Sequence, residues 1–116
     1  VMEKFLAAGS SDTVRSRSLT GKPARQLRSA WTEAWERPDS PGALPMPLQP
    51  LLVESARRRI TRAAAAGNPG ARQLINYFVG QVVGSLHTVK PARQVLYEMV
   101  EEYVDTVVGL ARGLET

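Results

Sequence analysis

The sequence predicts a mainly α-helical chain with about five helices and at most one short strand. Three observations carry this. Apolar residues recur every third or fourth position in the second half, as in Val95, Met99, Tyr103 and Val107. Only Thr13–Thr20 reads as a plausible strand, and its β-branched and apolar residues are few. Five of the fourteen residues from Arg37 to Pro50 are proline, so that stretch can be neither helix nor central strand. At 116 residues the chain has the material for one modest core, and falls short of the roughly 200 residues a (β/α)₈ barrel needs.

The elements follow in order. Glu3–Ala8 reads as a short helix stopped by Gly9, with Ser10-Ser11-Asp12 as a turn. Thr13–Thr20 is the one candidate strand, broken by Gly21. Pro23 then suits the first position of a helix, where its missing N–H has no partner to lose, and Leu27, Trp31, Ala34 and Trp35 would share its buried face. After the proline-rich connection a helix runs to about Ala66 with Leu52, Ala56, Ile60 and Ala63 inward, and Gly67-Asn68-Pro69-Gly70 ends it. Ala71–Leu86 reads as a nearly uncharged helix buried on most sides. Pro91–Leu110 is the cleanest amphipath, its acids Glu98, Glu101, Glu102 and Asp105 facing water. The pentapeptide Lys22-Pro23-Ala24-Arg25-Gln26 recurs as Lys90-Pro91-Ala92-Arg93-Gln94, which reads as a shared helix-start signal. Three units result: residues 1–36, a connection over 37–50, and a three-helix region over 51–116.

Composition excludes several chemistries. Without cysteine there is no disulfide, thiolate metal site or cysteine nucleophile, and a single histidine, His87, leaves no histidine-rich metal centre. No metal site is expected. The uncharged run from Gln73 through Thr88, ended by Lys90 after Val89, is shorter than the ~20 apolar residues of a membrane span. Residues 1–10 lack the pattern of a signal peptide, so the expected location is cytoplasmic. The start at Val1-Met2 reads as a piece of something longer. Net charge is +4, distributed as +5 over residues 1–62, +3 over 63–93 and −4 over 94–116. An acidic end beside a basic body suits packing or a subunit contact better than a nucleic-acid stripe. Arg57, Arg58, Arg59 and Arg62 would spread around a helix instead of lining one face, so no nucleic-acid partner is expected.

Two motifs are candidates for chemistry. Gly21-Lys22 lacks the spaced glycine and following Ser or Thr of a phosphate loop, with Ser16 and Pro23 in those places. What remains is either an ordinary turn or an anion site at a helix N-terminus, built on Gly21 and Lys22. Gly80-Gln81-Val82-Val83-Gly84 is the stronger feature. Two glycines one helical turn apart, each costing about 1 kcal/mol against alanine, imply a close approach to that face. The visitor is either another helix backbone or a flat cofactor or substrate beside the Gln81 amide. His87, near the end of that helix, reads as a capping or surface residue.

The ordered motifs Asp12-Thr13-Val14-Arg15, Thr20-Gly21-Lys22-Pro23-Ala24-Arg25, Trp35-Glu36, Leu44-Pro45-Met46-Pro47-Leu48-Gln49, Gly67-Asn68 and Gly80-Gln81-x-x-Gly84 resemble the C-terminal third of nitronate monooxygenases, formerly called 2-nitropropane dioxygenases. Met99-Val100-Glu101-Glu102 is similar to actinobacterial members. The resemblance implies an FMN-dependent (β/α)₈ barrel with an accessory helical domain, in which flavin oxidises bound nitronates and then reacts with oxygen. Flavin-dependent enoyl and quinone reductases are related branches. The family's phosphate-holding glycine loops and its catalytic histidine would lie upstream of Val1, and His87 is not that histidine. The resemblance therefore implies no catalytic residue in this chain and no FMN binding by it alone. It implies cavity-lining roles for Asn76, Gly80, Gln81 and Gly84, with the N-terminal barrel portion of the same protein and a nitronate-like small molecule as partners. A homo-oligomer is a further expectation. The rival reading, drawn from the residues alone, is a non-enzymatic helical module docking through the apolar stripe of its last helix.

Overall fold

A computed structural model describes residues 2–114; Val1, Glu115 and Thr116, and with them the Glu115 share of the acidic tail, lie outside the described residues. Helix α1 (Met2–Ala7) is followed by a 3₁₀ turn, Ser10–Asp12, in which the Gly9 N–H donates to Asp12 Oδ2 at 2.7 Å. Strand β1 (Thr13–Ser16) then pairs antiparallel with β2 (Ala24–Leu27), Thr13 opposite Leu27 and Ser16 opposite Ala24. The turn between them closes on itself. The Gly21 N–H donates to the Arg17 carbonyl and Arg17 Nε donates back to the Gly21 carbonyl, each at 2.8 Å.

The helix expected from Pro23 therefore starts later, as α2 (Ala30–Glu36). Its true start signal is Ser29 with Thr32. The Thr32 N–H donates to Ser29 Oγ at 3.3 Å, and the Ser29 N–H donates to Thr32 Oγ1 at 2.9 Å, a reciprocal cap that satisfies two otherwise unpaired donors. The chain thus has a second strand where one at most was expected, while its character remains mainly helical with five α-helices among the described residues.

The proline-rich segment carries no regular structure until α3 (Leu48–Ala65), whose first turn absorbs Pro50 because N–H groups there have no intrahelical acceptor. Its inward face is Gln49, Val53, Ala56 and Ile60. Leu52, expected inward, is instead 58% exposed. The helix begins two residues earlier than Pro50 suggests, and the buried Gln49 sets its rotation. Gly67 ends α3 at φ +92°, with the Asn68 N–H on the Ala63 carbonyl and the Gly67 N–H on the Ala64 carbonyl. This double closure needs a left-handed residue, which glycine supplies. Asn68 then caps α4 (Pro69–Gln73) by accepting from the Ala71 N–H at 3.0 Å.

The expected helix Ala71–Leu86 does not form beyond α4. Residues 77–79 instead run along the free edge of β2. The Leu27 N–H donates to the Tyr77 carbonyl at 2.9 Å, the Val79 N–H donates to the Arg25 carbonyl at 3.3 Å, and Phe78 bridges Gln26. A 3₁₀ turn follows, Gln81–Ser85. Ile75, Tyr77, Phe78, Val79, Val82 and Val83 are β-branched or aromatic, poor in helices and suited to a sheet edge that offers unpaired groups, and Gly80 and Gly84 weaken the helix further.

Two small cores result. Ala8, Leu27 and Val83 gather Phe5, Tyr77 and Val79; Leu19, Trp31 and Val53 gather Trp35, Ala56, Ile60 and Leu74. The Phe5 and Tyr77 rings meet edge-on at 5.8 Å, and Trp31 and Trp35 lie 6.1 Å apart. The last helix, α5 (Ala92–Leu114), contributes no buried residue. It lengthens the molecule to 60 × 31 × 23 Å and raises the radius of gyration to 19.4 Å. A compact domain of this length would have about 13 Å. Among the described residues no helix is long and apolar enough to cross a membrane.

Candidate functional site

The site is built from the segment that joins the β2 edge to the second 3₁₀ turn. Asn76 precedes the edge-pairing residues, and its Nδ2 donates to Gln26 Oε1 at 2.9 Å and to Ser29 Oγ at 3.3 Å. It thereby ties the start of α2 to the middle of β2. Gln26 is fully buried, and its Nε2 has no hydrogen-bond partner; the same holds for Nε1 of the buried Trp31. Such orphaned donors each cost on the order of 1–3 kcal/mol.

Asn76 lines a cleft of about 80 Å³ together with Trp31, Arg57, Thr61, Ile75 and Phe78. Cofactor and substrate pockets usually measure roughly 300–1,000 Å³, so this cleft can seat no more than a very small group.

The two glycines of Gly80-Gln81-Val82-Val83-Gly84 do different work. A Cβ on Gly84 would lie 2.6 Å from the Ser10 nitrogen and would run into Ser10 Oγ, so the close approach anticipated there is real. The visitor is the backbone of the first 3₁₀ turn. Ser10 Oγ seals the contact by donating to the Gln81 carbonyl at 2.8 Å. Gly80 is exposed instead, and a Cβ built on it would make only an ordinary van der Waals contact, with Val82 Cγ1 at 3.9 Å. Gln81 is exposed, whereas Val83 is fully buried. The structure thus divides the predicted set: Asn76 belongs to the Trp31 cleft, Gly84 to an internal contact, and Gly80 with Gln81 to an exposed edge.

Gly21 is buried beneath the proline-rich segment. At φ +80°, a Cβ on it would lie 2.5 Å from the Leu44 carbonyl oxygen and 2.6 Å from the Met46 nitrogen. Lys22 is exposed, its N–H held by Thr20 Oγ1 at 3.3 Å. No helix opens at this point, because β2 begins at Ala24, so the dipole that would draw an anion to Gly21 and Lys22 is missing.

Sequence reasoning missed Ser10, Gln26, Gln49 and the Lys90–Glu98 pair. Gln49 is fully buried; its Nε2 donates to the Ser18 carbonyl at 2.7 Å while its Oε1 accepts from the Leu44 N–H at 2.9 Å. It clamps the proline-rich segment to the β1–β2 turn. Its signal was a polar residue in phase with Val53, Ala56 and Ile60. A second groove, about 390 Å³, lies between α1 and the start of α5, lined by Met2, Leu6, Leu86, His87 and Val95. At its edge Lys90 Nζ meets Glu98 Oε2 at 2.6 Å, and Gln94 Nε2 donates to Glu98 Oε1 at 2.9 Å. These two hydrogen bonds, Lys90 first, hold the Glu98 carboxyl below the ordinary glutamate value. Among the described residues no group of three or more histidine or carboxylate side chains could hold a metal.

Among the described residues the fold shows a helical body with one exposed glycine–amide edge and one uncovered helix. The chain is 62% identical over 114 residues to a Mycobacterium tuberculosis (strain ATCC 25618 / H37Rv) protein named "Putative monooxygenase". That alignment covers 98% of this chain and 30% of the relative, so the chain spans less than a third of the relative's length. No family model matches the chain, and no solved structure does.

Proposed function

We propose that this chain is the C-terminal, cap-bearing part of an FMN-dependent oxidoreductase that oxidises alkyl nitronates with molecular oxygen. The observation that carries this reading is the 62% identity, along 98% of the chain, to a segment of a relative with a monooxygenase name. The resemblance of its ordered motifs to nitronate monooxygenases supplies the flavin and the substrate class.

The residues present fit one wall of a flavin site. Gly80 is exposed with no side chain of its own, Gln81 is exposed beside it, and Phe78 and Val82 offer 55% and 63% exposed apolar surface on the same segment. When bound, FMN supplies the two-electron chemistry that oxidises the substrate and passes electrons to oxygen. This chain's share is to orient a substrate through the Gln81 amide and to exclude water with Phe78 and Val82. Exclusion of water strengthens every electrostatic interaction inside a closed site. The phosphate cradle and the proton-transferring base belong to the barrel portion that would complete the site.

The test is steady-state oxidation of an alkyl nitronate by a longer polypeptide carrying this chain, with enoyl and quinone reduction assayed in parallel. Nitronate oxidation with oxygen uptake supports the reading; reduction of an enoyl or quinone substrate alone moves the protein to a neighbouring branch. The second reading, a helical docking module without enzymatic function, is favoured by the uncovered α5 and predicts neither activity.

A further inference from the structure

Most of the exposed large apolar side chains lie in residues 78–114, a smaller set flanking the start of α3 at Leu48, Leu51 and Leu52. Phe78, Val82, Leu86 and Val89 are 49–63% exposed, and the exposed run continues into α5 through Leu96 at 64% and Tyr103 at 69%. On α5, at about 100° per residue, the apolar arc runs from Val95 through Tyr103 to Val108 and covers roughly 220° of the circumference. Glu98, Glu101, Glu102 and Asp105 fill the remaining face. A helix packing on one neighbour needs an apolar stripe about 100° wide, and a two-helix seam needs less. An arc twice that wide calls for a neighbour on each flank, with only the acidic face left in water. A second copy pairing through α5 alone would cover one seam and leave the other flank bare. The relative matched over 30% of its length has 70% with no counterpart here, ample to build both walls of such a groove.

We propose that the exposed apolar residues of α5, with Phe78, Val82, Leu86 and Val89 before it, form one docking surface, with α5 seated in an apolar groove between two elements of the flavin-bearing body of the longer polypeptide. The proposal rests on the function argued above and goes further: it makes the Gly80–Gln81 edge the margin of that interface, so that docking of α5 sets the position of the Gln81 amide. Because α5 buries nothing in its own body, charging its apolar face should spare the two small cores.

Hydrogen exchange tests this in two samples: the 116-residue chain, and a longer polypeptide that carries it beside the flavin-bearing body. The expected result is fast exchange along α5 in the short chain at every concentration, and exchange at least tenfold slower in the monomeric long one. V100E should abolish that slowing, while E101Q on the water-facing side should leave it intact. Fast α5 exchange in the long polypeptide, or equal effects of the two variants, would overturn the proposal. So would concentration-dependent protection of α5 in the short chain, which would assign the surface to a second copy. Slow exchange in a long polypeptide that retains no flavin upholds the docking and removes only the flavin reading, so the two failures are separable.

Discussion

Gly84 and Ser10 touch backbone to backbone: a Cβ on Gly84 would lie 2.6 Å from the Ser10 nitrogen, while Ser10 Oγ donates to the Gln81 carbonyl at 2.8 Å. This contact fastens the two 3₁₀ turns together and fixes where the Gly80–Gln81 edge emerges. Gly84→Ala should therefore destabilise the fold by about 1–3 kcal/mol, through forced separation of two backbones. Gly80→Ala, whose Cβ would meet Val82 only at ordinary van der Waals distance, should change the melting temperature little. Thermal unfolding of both variants checks the contrast, and equal effects would remove the distinction drawn between the two glycines.

Gly21 combines φ +80° with the Leu44 carbonyl 2.5 Å from where a Cβ would stand. Gly21→Ala should lower stability by more than the ~1 kcal/mol of an ordinary compatible glycine substitution, because strain and collision add. The same substitution at Gly42, whose φ is +77° but whose surroundings are open, should cost less. Denaturant midpoints of the two variants give the comparison.

Gln49 bridges the Ser18 carbonyl and the Leu44 N–H from a fully buried position. Gln49→Leu keeps much of the volume and strands both backbone partners, at an expected cost of about 2–4 kcal/mol. Amide exchange at Leu44 should accelerate with it, reporting release of the proline-rich segment.

Glu98 is held below the ordinary glutamate value of 4.5 by its hydrogen bonds to Lys90 and Gln94. A carboxyl lowered in the folded state stabilises above its unfolded value, and that contribution disappears as pH falls through the folded value. The groove between α1 and α5 should accordingly loosen below about pH 4.5, not near neutrality. A carboxyl NMR titration should place the Glu98 midpoint below the ordinary glutamate value. Lys90→Met should raise it, with little change in global stability because the pair is solvent-exposed.

The proposed function has the Gln81 amide orient the substrate. In the longer polypeptide, Gln81→Ala should lower kcat/KM for the nitronate about tenfold, equivalent to ~1.4 kcal/mol of transition-state stabilisation, with an unchanged melting temperature. Gln81→Glu should be worse for an anionic substrate, since it replaces an amide donor by a like charge. Unchanged kinetics in both variants would remove Gln81 from the site.

What could be read in advance follows a physical division. The helices with strong local signals were legible: α1 stopped before Gly9, α3 ended by Gly67, and α5 set by its 3.6-residue rhythm. The repeated pentapeptide shows where local signals end. Ala92-Arg93-Gln94 opens α5, whereas Ala24-Arg25-Gln26 lies in β2, because β1 and residues 77–79 supply that copy with hydrogen-bond partners on both edges. The same non-local pairing turned the apparent helix over 74–86 into an edge segment and a 3₁₀ turn. At the site, the close approach inferred from the two glycines occurs at Gly84 and not at Gly80, and the helix whose glycine cost prompted the inference does not form. Ser10 stands 74 positions from Gly84 in the sequence, and nothing local links them.

The central claim is that the chemistry associated with this chain resides in a flavin held by another part of a longer polypeptide. Flavin absorbance after reconstitution with FMN addresses it directly, for the 116-residue chain and for the longer polypeptide. One FMN per molecule in the long form, reduced by an alkyl nitronate, and none in the short form is the predicted result. Tight stoichiometric FMN in the 116-residue chain, or a long form that retains no flavin, would contradict it.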